Sequence, residues 1–288
     1  MDRTASLVLA IIVAAGCSSR PRVVVGSKNF TEQVLLGEII AQQIEQKTGL
    51  PVERKLNLGG TLLAHEALKQ GGIDLYPEYT GTALTAVLKQ PADRDPATAL
   101  NRVRDGYLPL GLAWLQPLGF DNTFAMVIRS DTARTDGLRT LSDAARRAQP
   151  WRLGVGYEFV QRPDGLDGLV HTYGLRLEGD PVTMDLGLLY PALESGRIAM
   201  GAASATDGRL ADAAFTVLAD DRRYFPPYEC AIVVRQGALE RFPGLRTTLD
   251  ELSGRITDEE IRRMNAAVDR GRRRVADVAR EFLSRGGG

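Results

Sequence analysis

The chain has 288 residues, 44% hydrophobic and 25% charged, with 36 Lys and Arg against 36 Asp and Glu. Such a length supports one or two globular domains with a sizeable core, and the balanced charge lacks the basic excess that phosphate recognition needs, which argues against a nucleic-acid partner. Of the two cysteines, Cys17 closes an amino-terminal targeting segment and beyond it only Cys230 remains, so no intramolecular disulfide is expected in a mature chain.

The targeting segment is Met1 to Cys17. Arg3 supplies its charged start, and Leu7 to Ala15 is an apolar run too short to span a bilayer as a mature helix. Its end, Val13-Ala-Ala-Gly-Cys17, resembles a bacterial lipobox, in which the cysteine is acylated and becomes the mature N-terminus. That predicts an exported protein, in the periplasm or at the cell surface, held to the membrane by lipid at Cys17; an ordinary secretory signal cut nearby is the alternative. No other stretch reaches the ~18 continuous apolar residues a membrane span requires.

Val23 to Val25 then reads as an apolar strand leading through the loop Gly26-Ser-Lys-Asn-Phe30 into an amphipathic helix, with Thr31 as N-cap, Ile39, Ile40 and Ile44 on its apolar face, and Gly49 as its stop. Pro51 to Leu58 alternates like a strand, and Gly59-Gly-Thr61 turns it into a helix, Leu62 to Gln70. Ile73 to Tyr76 is the next strand, ended by Pro77, which cannot donate a ladder hydrogen bond. Three βα units in succession predict a parallel sheet in an α/β protein. After Pro77 come Tyr79, Thr80, Gly81 and Thr82, and a helical run from Ala83 to Leu88. In open α/β sheets ligands sit beyond the carboxyl ends of the strands. Here Tyr79 offers a π face to a cation, while Thr82 and the helix start offer donors to an anion. The matching ligand is a small zwitterion.

Lys89 to Pro96 reads as a loop, Ala97 to Leu108 as a helix and Trp114 to Phe120 as an extended segment. The strand Phe124 to Ile128 has no helix directly before it and marks a domain crossing. The βα rhythm restarts with helix Ser142 to Ala148 and strand Arg152 to Tyr157, and Arg162-Pro-Asp-Gly165 opens a helix that stops at Gly174. A short strand near Val182, a helix Leu188 to Glu194, the strand Ile198 to Ala203, a helix from Thr206-Asp-Gly208 and the strand Phe215 to Leu218 follow. Residues 220 to 228, stiffened by two prolines, return to the apolar strand Cys230 to Val234, where Cys230 is a small buried hydrophobe. The rest is helical; Arg270, Arg272, Arg273 and Arg274 lie on a pattern through Ile261, Met264, Val268, Val275, Val278 and Phe282 and read as a solvated helix face. The organisation is a first lobe made of residues 22–121 and 229–288 and a second, inserted lobe of 122–228. Two crossings form a hinge that closes the lobes on a ligand.

At Gly26-Ser-Lys-Asn-Phe-Thr-Glu-Gln33, Asn57-Leu-Gly-Gly-Thr61, Asp74-Leu-Tyr-Pro-Glu-Tyr-Thr-Gly-Thr82, Gly156-Tyr-Glu-Phe159 with Arg162-Pro-Asp-Gly165, Thr206-Asp-Gly-Arg209 and Tyr224-Phe-Pro-Pro-Tyr228, the chain resembles the substrate-binding proteins of osmoprotectant ABC importers. These take up glycine betaine, choline, carnitine and related quaternary amines. The resemblance covers essentially all of the mature chain and implies a two-lobed type II periplasmic-binding-protein fold, a monomer with its ligand in the interlobe cleft and no cofactor. Its partners are then the small amine and an ABC permease with its ATPase. An aromatic cage is implied for the trimethylammonium group, with Tyr79 and Tyr228 as cage tyrosines, Lys28, Thr82 and Arg162 at the anion-holding positions, and Asn122, Ser204 and Thr206 in the neighbouring motifs.

Two positions depart from that pattern. Phe124 stands where a tyrosine is usual, and Ser204 stands where a ring commonly precedes Thr-Asp-Gly. A cage one ring short would bind betaine about tenfold more weakly or admit a bulkier trimethylated zwitterion such as ergothioneine. Tyr190 is a candidate replacement wall. Plainer readings stand beside these: Tyr79 as a rim aromatic, Arg162 paired with Asp164 or Asp167, Phe124 as hinge packing. An exported enzyme using Ser27, Lys28 or Ser204 as nucleophile lacks a nearby histidine and a Gly-x-Ser-x-Gly elbow. A sensor domain would need a separate signalling partner. His65 and His171 have no companions at metal spacing.

Overall fold

The computed structural model describes residues 21–162 and 164–285; the targeting segment and Cys17 lie outside the described residues. In chain order the strands are β1 (Val23–Gly26), β2 (Val52–Lys55), β3 (Leu75–Tyr79), β4 (Leu112–Asp121), β5 (Phe124–Arg129), β6 (Leu153–Val155), β7 (Val182–Thr183), β8 (Met200–Ser204), β9 (Phe215–Leu218) and β10 (Glu229–Arg235). They form two five-stranded sheets, ordered β2-β1-β3-β10-β4 and β7-β6-β8-β5-β9. Each sheet has a parallel trio, one antiparallel strand beside it and a fifth strand at the edge. In the first, β1 runs parallel to β2 and β3, and β10 runs antiparallel to β3 and β4. In the second, β6 runs parallel to β7 and β8, and β5 runs antiparallel to β8 and β9. The chain passes from one sheet to the other between β4 and β5 and returns between β9 and β10, which makes a mixed α/β molecule of two lobes.

The central strands are covered on both faces, so they read as apolar runs and not as alternation of apolar with polar. Along β10, Cys230, Ile232 and Val234 enter one core layer with the helix Thr31–Thr48, while Ala231 and Val233 enter the opposite layer with Leu68, Tyr107 and Trp114. In the second lobe Met126 and Ile128 of β5 face one layer and Ala125 and Val127 the other. Cys230 is fully buried opposite Tyr79 in the ladder, as a small hydrophobe should be, and burial pushes its thiol well up.

Several local expectations need correction. Strand β3 does not stop at Pro77: it runs to Tyr79, with Pro77 paired to Ile232 of β10. An antiparallel ladder uses the N–H of only alternate residues toward a given neighbour, and the pairing of β3 with β1 is confined to Leu75, so proline's missing donor is tolerated. Strand β2 ends at Lys55 because Asn57 takes a left-handed conformation, φ 64°, which asparagine accepts and a ladder does not. Thr31 is the first helical residue and not the cap: Phe30 caps the helix, and the Thr31 hydroxyl donates to Asp269 at 2.6 Å. Strand β6 is short, since Tyr157 already opens a helical turn, Tyr157–Gln161. The carboxyl-terminal helical pattern is two helices, Asp258–Asp269 and Val275–Arg285, and the arginine run occupies the turn between them, with Arg272 at φ 49°.

Candidate functional site

The loop after β1 and the end of β3 build one wall. Lys28 is buried, and its ammonium lies 2.6 Å from Glu78 Oε1 and 4.5 Å from the centre of the Tyr79 ring. Glu78, inaccessible to solvent, also accepts the Tyr79 N–H at 2.7 Å and the Tyr76 hydroxyl at 3.1 Å. Phe30 stacks on Tyr79 at 6.4 Å. After β3 the chain makes one helical turn, Thr80–Thr82, and then a wider turn of π-helix, Ala83–Val87, a form that often marks functional positions. Gly81 is needed here for close approach: a Cβ would fall 2.7 Å from the Tyr228 ring and 2.8 Å from the Pro227 carbonyl. The turn after β3 therefore seats directly on the Phe-Pro-Pro-Tyr crossing.

The opposite wall comes from the second lobe. Arg162 forks onto Asp164, Nε to Oδ1 at 2.9 Å and Nη2 to Oδ2 at 2.8 Å, the two-bond geometry that guanidinium favours. The same guanidinium reaches the first lobe, donating to Thr85 Oγ1 at 3.1 Å and Thr82 Oγ1 at 3.4 Å, and it also donates to the Tyr228 hydroxyl, at the end of the returning crossing, at 2.7 Å. Tyr228 in turn donates to Asp164, and burial pushes its phenol well up. Arg162 also lies 5.2 Å from the Tyr228 ring centre and 5.5 Å from that of Phe124. Phe124 packs edge-on against Phe159 at 4.8 Å and Tyr228 at 5.7 Å.

Between the walls is a cleft of about 610 Å³. Lys28, Tyr79, Thr82, Asn122, Phe124, Arg162, Ser204 and Tyr228 all line it. Thr206, the remaining expected residue, sits one layer back, fully buried, with its hydroxyl on Glu32. The plainer pairing of Arg162 with Asp164 also holds, and Phe124 is both wall and packing residue. Tyr190 is not a replacement wall: it is buried in the second lobe's core, edge-on to Phe215 at 4.9 Å, because the helix Leu189–Glu194 turns that face toward the sheet. The place of the missing ring is taken by small polar groups, with Ser204 donating to Asn122 and accepting the Thr206 N–H at 3.3 Å.

Sequence reasoning missed three rings that line the cleft, Phe30, Tyr157 and Phe159, and two rim carboxylates, Glu158 and Asp185. All but Asp185 stand inside the quoted motifs, which was the available signal. It also missed Glu32. This carboxylate is buried and accepts from Tyr79 at 2.5 Å, Asn122 at 2.8 Å, Asn265 at 3.0 Å and Thr206. Burial pushes its pKa up, and the four donors oppose that shift.

Two α/β lobes of matching sheet topology, crossed twice by the chain and facing each other over a polar and aromatic cleft, define a type II periplasmic-binding-protein fold. Residues 21–285 match the family described as the substrate-binding domain of the ABC-type glycine betaine transport system. A glycine-betaine-binding protein of Pseudomonas aeruginosa is 36% identical over 98% of this chain and 93% of its own length. An ergothioneine transport permease/ergothioneine binding protein of Helicobacter pylori is 33% identical over 91% of this chain, which spans 47% of that protein. A crystal structure described as a glycine betaine/carnitine/choline ABC transporter superposes with a TM-score of 0.80 at 31% identity, covering 91% of this chain and 98% of the other. The chain belongs to this family of substrate-binding proteins of ABC-type glycine betaine transporters, extracytoplasmic transport components and not enzymes.

Proposed function

We propose that this protein is a lipid-tethered receptor, acylated at Cys17, that captures a quaternary ammonium compound such as glycine betaine, choline or carnitine in the interlobe cleft and delivers it, as a monomer, to an ABC permease with its ATPase. The assignment takes residues 22–121 and 229–288 as one lobe and 122–228 as the other. The observation that carries the reading is the convergence of Tyr79, Thr82, Phe124, Arg162 and Tyr228 on one hollow from four separate stretches of sequence. The rings accept the methylated cation, whose contacts with π faces are worth about 0.5–2 kcal/mol each. Glu158 and Asp185 add negative field at the rim. Thr82 and Arg162 present donors for the ligand's carboxylate, and Lys28 adds positive field from behind its pairing with Glu78.

Calorimetric titration with glycine betaine, choline and carnitine tests this. At least one should bind, and Tyr228→Ala should weaken it roughly ten- to hundredfold; no binding by any of them overturns the reading. A second reading, ergothioneine or another bulky trimethylated zwitterion, is favoured by Ser204, a smaller side chain lining the cleft where a ring commonly stands. A stronger signal for ergothioneine than for betaine in the same titration selects it.

A further inference from the structure

We propose that Glu32 is a positioning residue that couples the Tyr79 wall of the cleft to closure of the two lobes. The proposal deepens the ligand reading above and rests on it for the affinity arm of its test. Glu32 is the second residue of the helix Thr31–Thr48, and each of its oxygens is shared between distant partners. Oε1 accepts from Tyr79, in the first lobe's wall, and from Asn122, on the first crossing. Oε2 accepts from Asn265, on the helix Asp258–Asp269, and from Thr206, just past β8 in the second lobe. One carboxylate thus joins the wall, the crossing, the helix Asp258–Asp269 and the opposite lobe.

No basic side chain bonds to Glu32 among the described residues, so its charge is held by hydroxyl and amide dipoles alone. Burying a carboxylate in that way costs more than burying a neutral side chain of similar shape. A mere strut would not need it. The carboxylate's advantage is that all four of its partners must donate, which fixes their orientation together. The seam around it is tight: Arg262 Nε donates to the Ala205 carbonyl at 2.7 Å, and a Cβ on Gly208 would fall 2.4 Å from the Ala266 nitrogen. Ser204 completes the circuit, accepting the Thr206 N–H at 3.3 Å and donating to Asn122 while lining the cleft. Two cleft residues, Tyr79 and Ser204, are therefore linked through a pair, Glu32 and Thr206, that does not line it. Pressure from a ligand on either is carried to the contact between lobes.

The test uses Thr206→Val, which keeps the shape and removes the hydroxyl outside the cleft, Thr206→Ser, which restores it, and Glu32→Gln. Affinity is measured by calorimetry with glycine betaine, choline and carnitine, and lobe opening by the small-angle scattering radius of gyration with and without ligand. Thr206→Val and Glu32→Gln should bind about tenfold more weakly and, ligand-free, show a larger radius than the wild type, while Thr206→Ser stays near the wild type. Affinity of Thr206→Val within about twofold of the wild type overturns the coupling, and so does weaker binding with an unchanged radius. Should the wild type bind none of the three amines, the ligand reading falls, and the radius of ligand-free Thr206→Val against the wild type still decides whether the seam sets lobe opening.

Discussion

Lys28 and Arg162 enter the cleft from opposite lobes, each laid beside an aromatic ring and each paired with a buried carboxylate, yet they are built differently. The Lys28–Glu78 pair is complete within the first lobe, since its further partners Tyr76 and Tyr79 both belong to β3. The Arg162–Asp164 pair is shared: three of its partners, Thr82, Thr85 and Tyr228, flank the first lobe's sheet. One half of the site exists before the lobes meet, and the other is finished only by their meeting. A binding protein that must both select and release its ligand needs this asymmetry, because a half-site formed by closure disappears on opening.

The largest effect should come from breaking the self-contained half. Glu78→Gln leaves the Lys28 ammonium buried without a counter-charge and should cost about 3–5 kcal/mol of stability in urea unfolding; a loss below about 1 kcal/mol would mean that water already screens the pair. The shared half should show itself in binding more than in stability. Arg162→Ala removes the cross-lobe donor to Thr82 and Thr85, and calorimetry should record roughly a hundredfold loss of affinity for the preferred amine.

A smaller effect tests the crossing that joins the halves. Asp121 ends β4 and accepts the Tyr228 N–H at 2.8 Å, and burial pushes its carboxyl from 3.8 up to about 6. With the folded value above the unfolded one, the folded state keeps a proton that the unfolded chain releases. Asp121 therefore favours folding most below pH 4 and progressively less as pH rises through about 6. The stability difference between wild type and Asp121→Asn, measured by urea unfolding from pH 4 to 7, should move against the wild type across that window. A difference that stays flat would place Asp121 in open contact with water. The smallest effect belongs to Cys230→Ser, whose side chain lies behind the Tyr79 wall; affinity should stay within about twofold.

The central strands of both sheets were legible because a buried strand leaves a short apolar run between turn residues, and Val23–Gly26 and Glu229–Arg235 fall where such runs stand. Boundaries failed where one residue's backbone overruled the pattern, as Asn57 did at the end of β2, or where ladder geometry tolerated a breaker, as at Pro77. In the site, Tyr79, Thr82, Arg162 and Tyr228 could be named because they occupy recurring motifs at strand ends and crossings.

Local pattern, then, determined which elements form, that they belong to two α/β lobes, and which polar and aromatic residues stand at the edges of those elements. Only the tertiary structure decided that Lys28 and Arg162 are already paired with Glu78 and Asp164, that Tyr190 turns into a core, and that Glu32 gathers donors 47, 90, 174 and 233 residues away. Periodicity records which face of an element is buried, but a buried polar group finds its partners on whichever elements packing brings beside it, and their separation along the chain leaves no local trace.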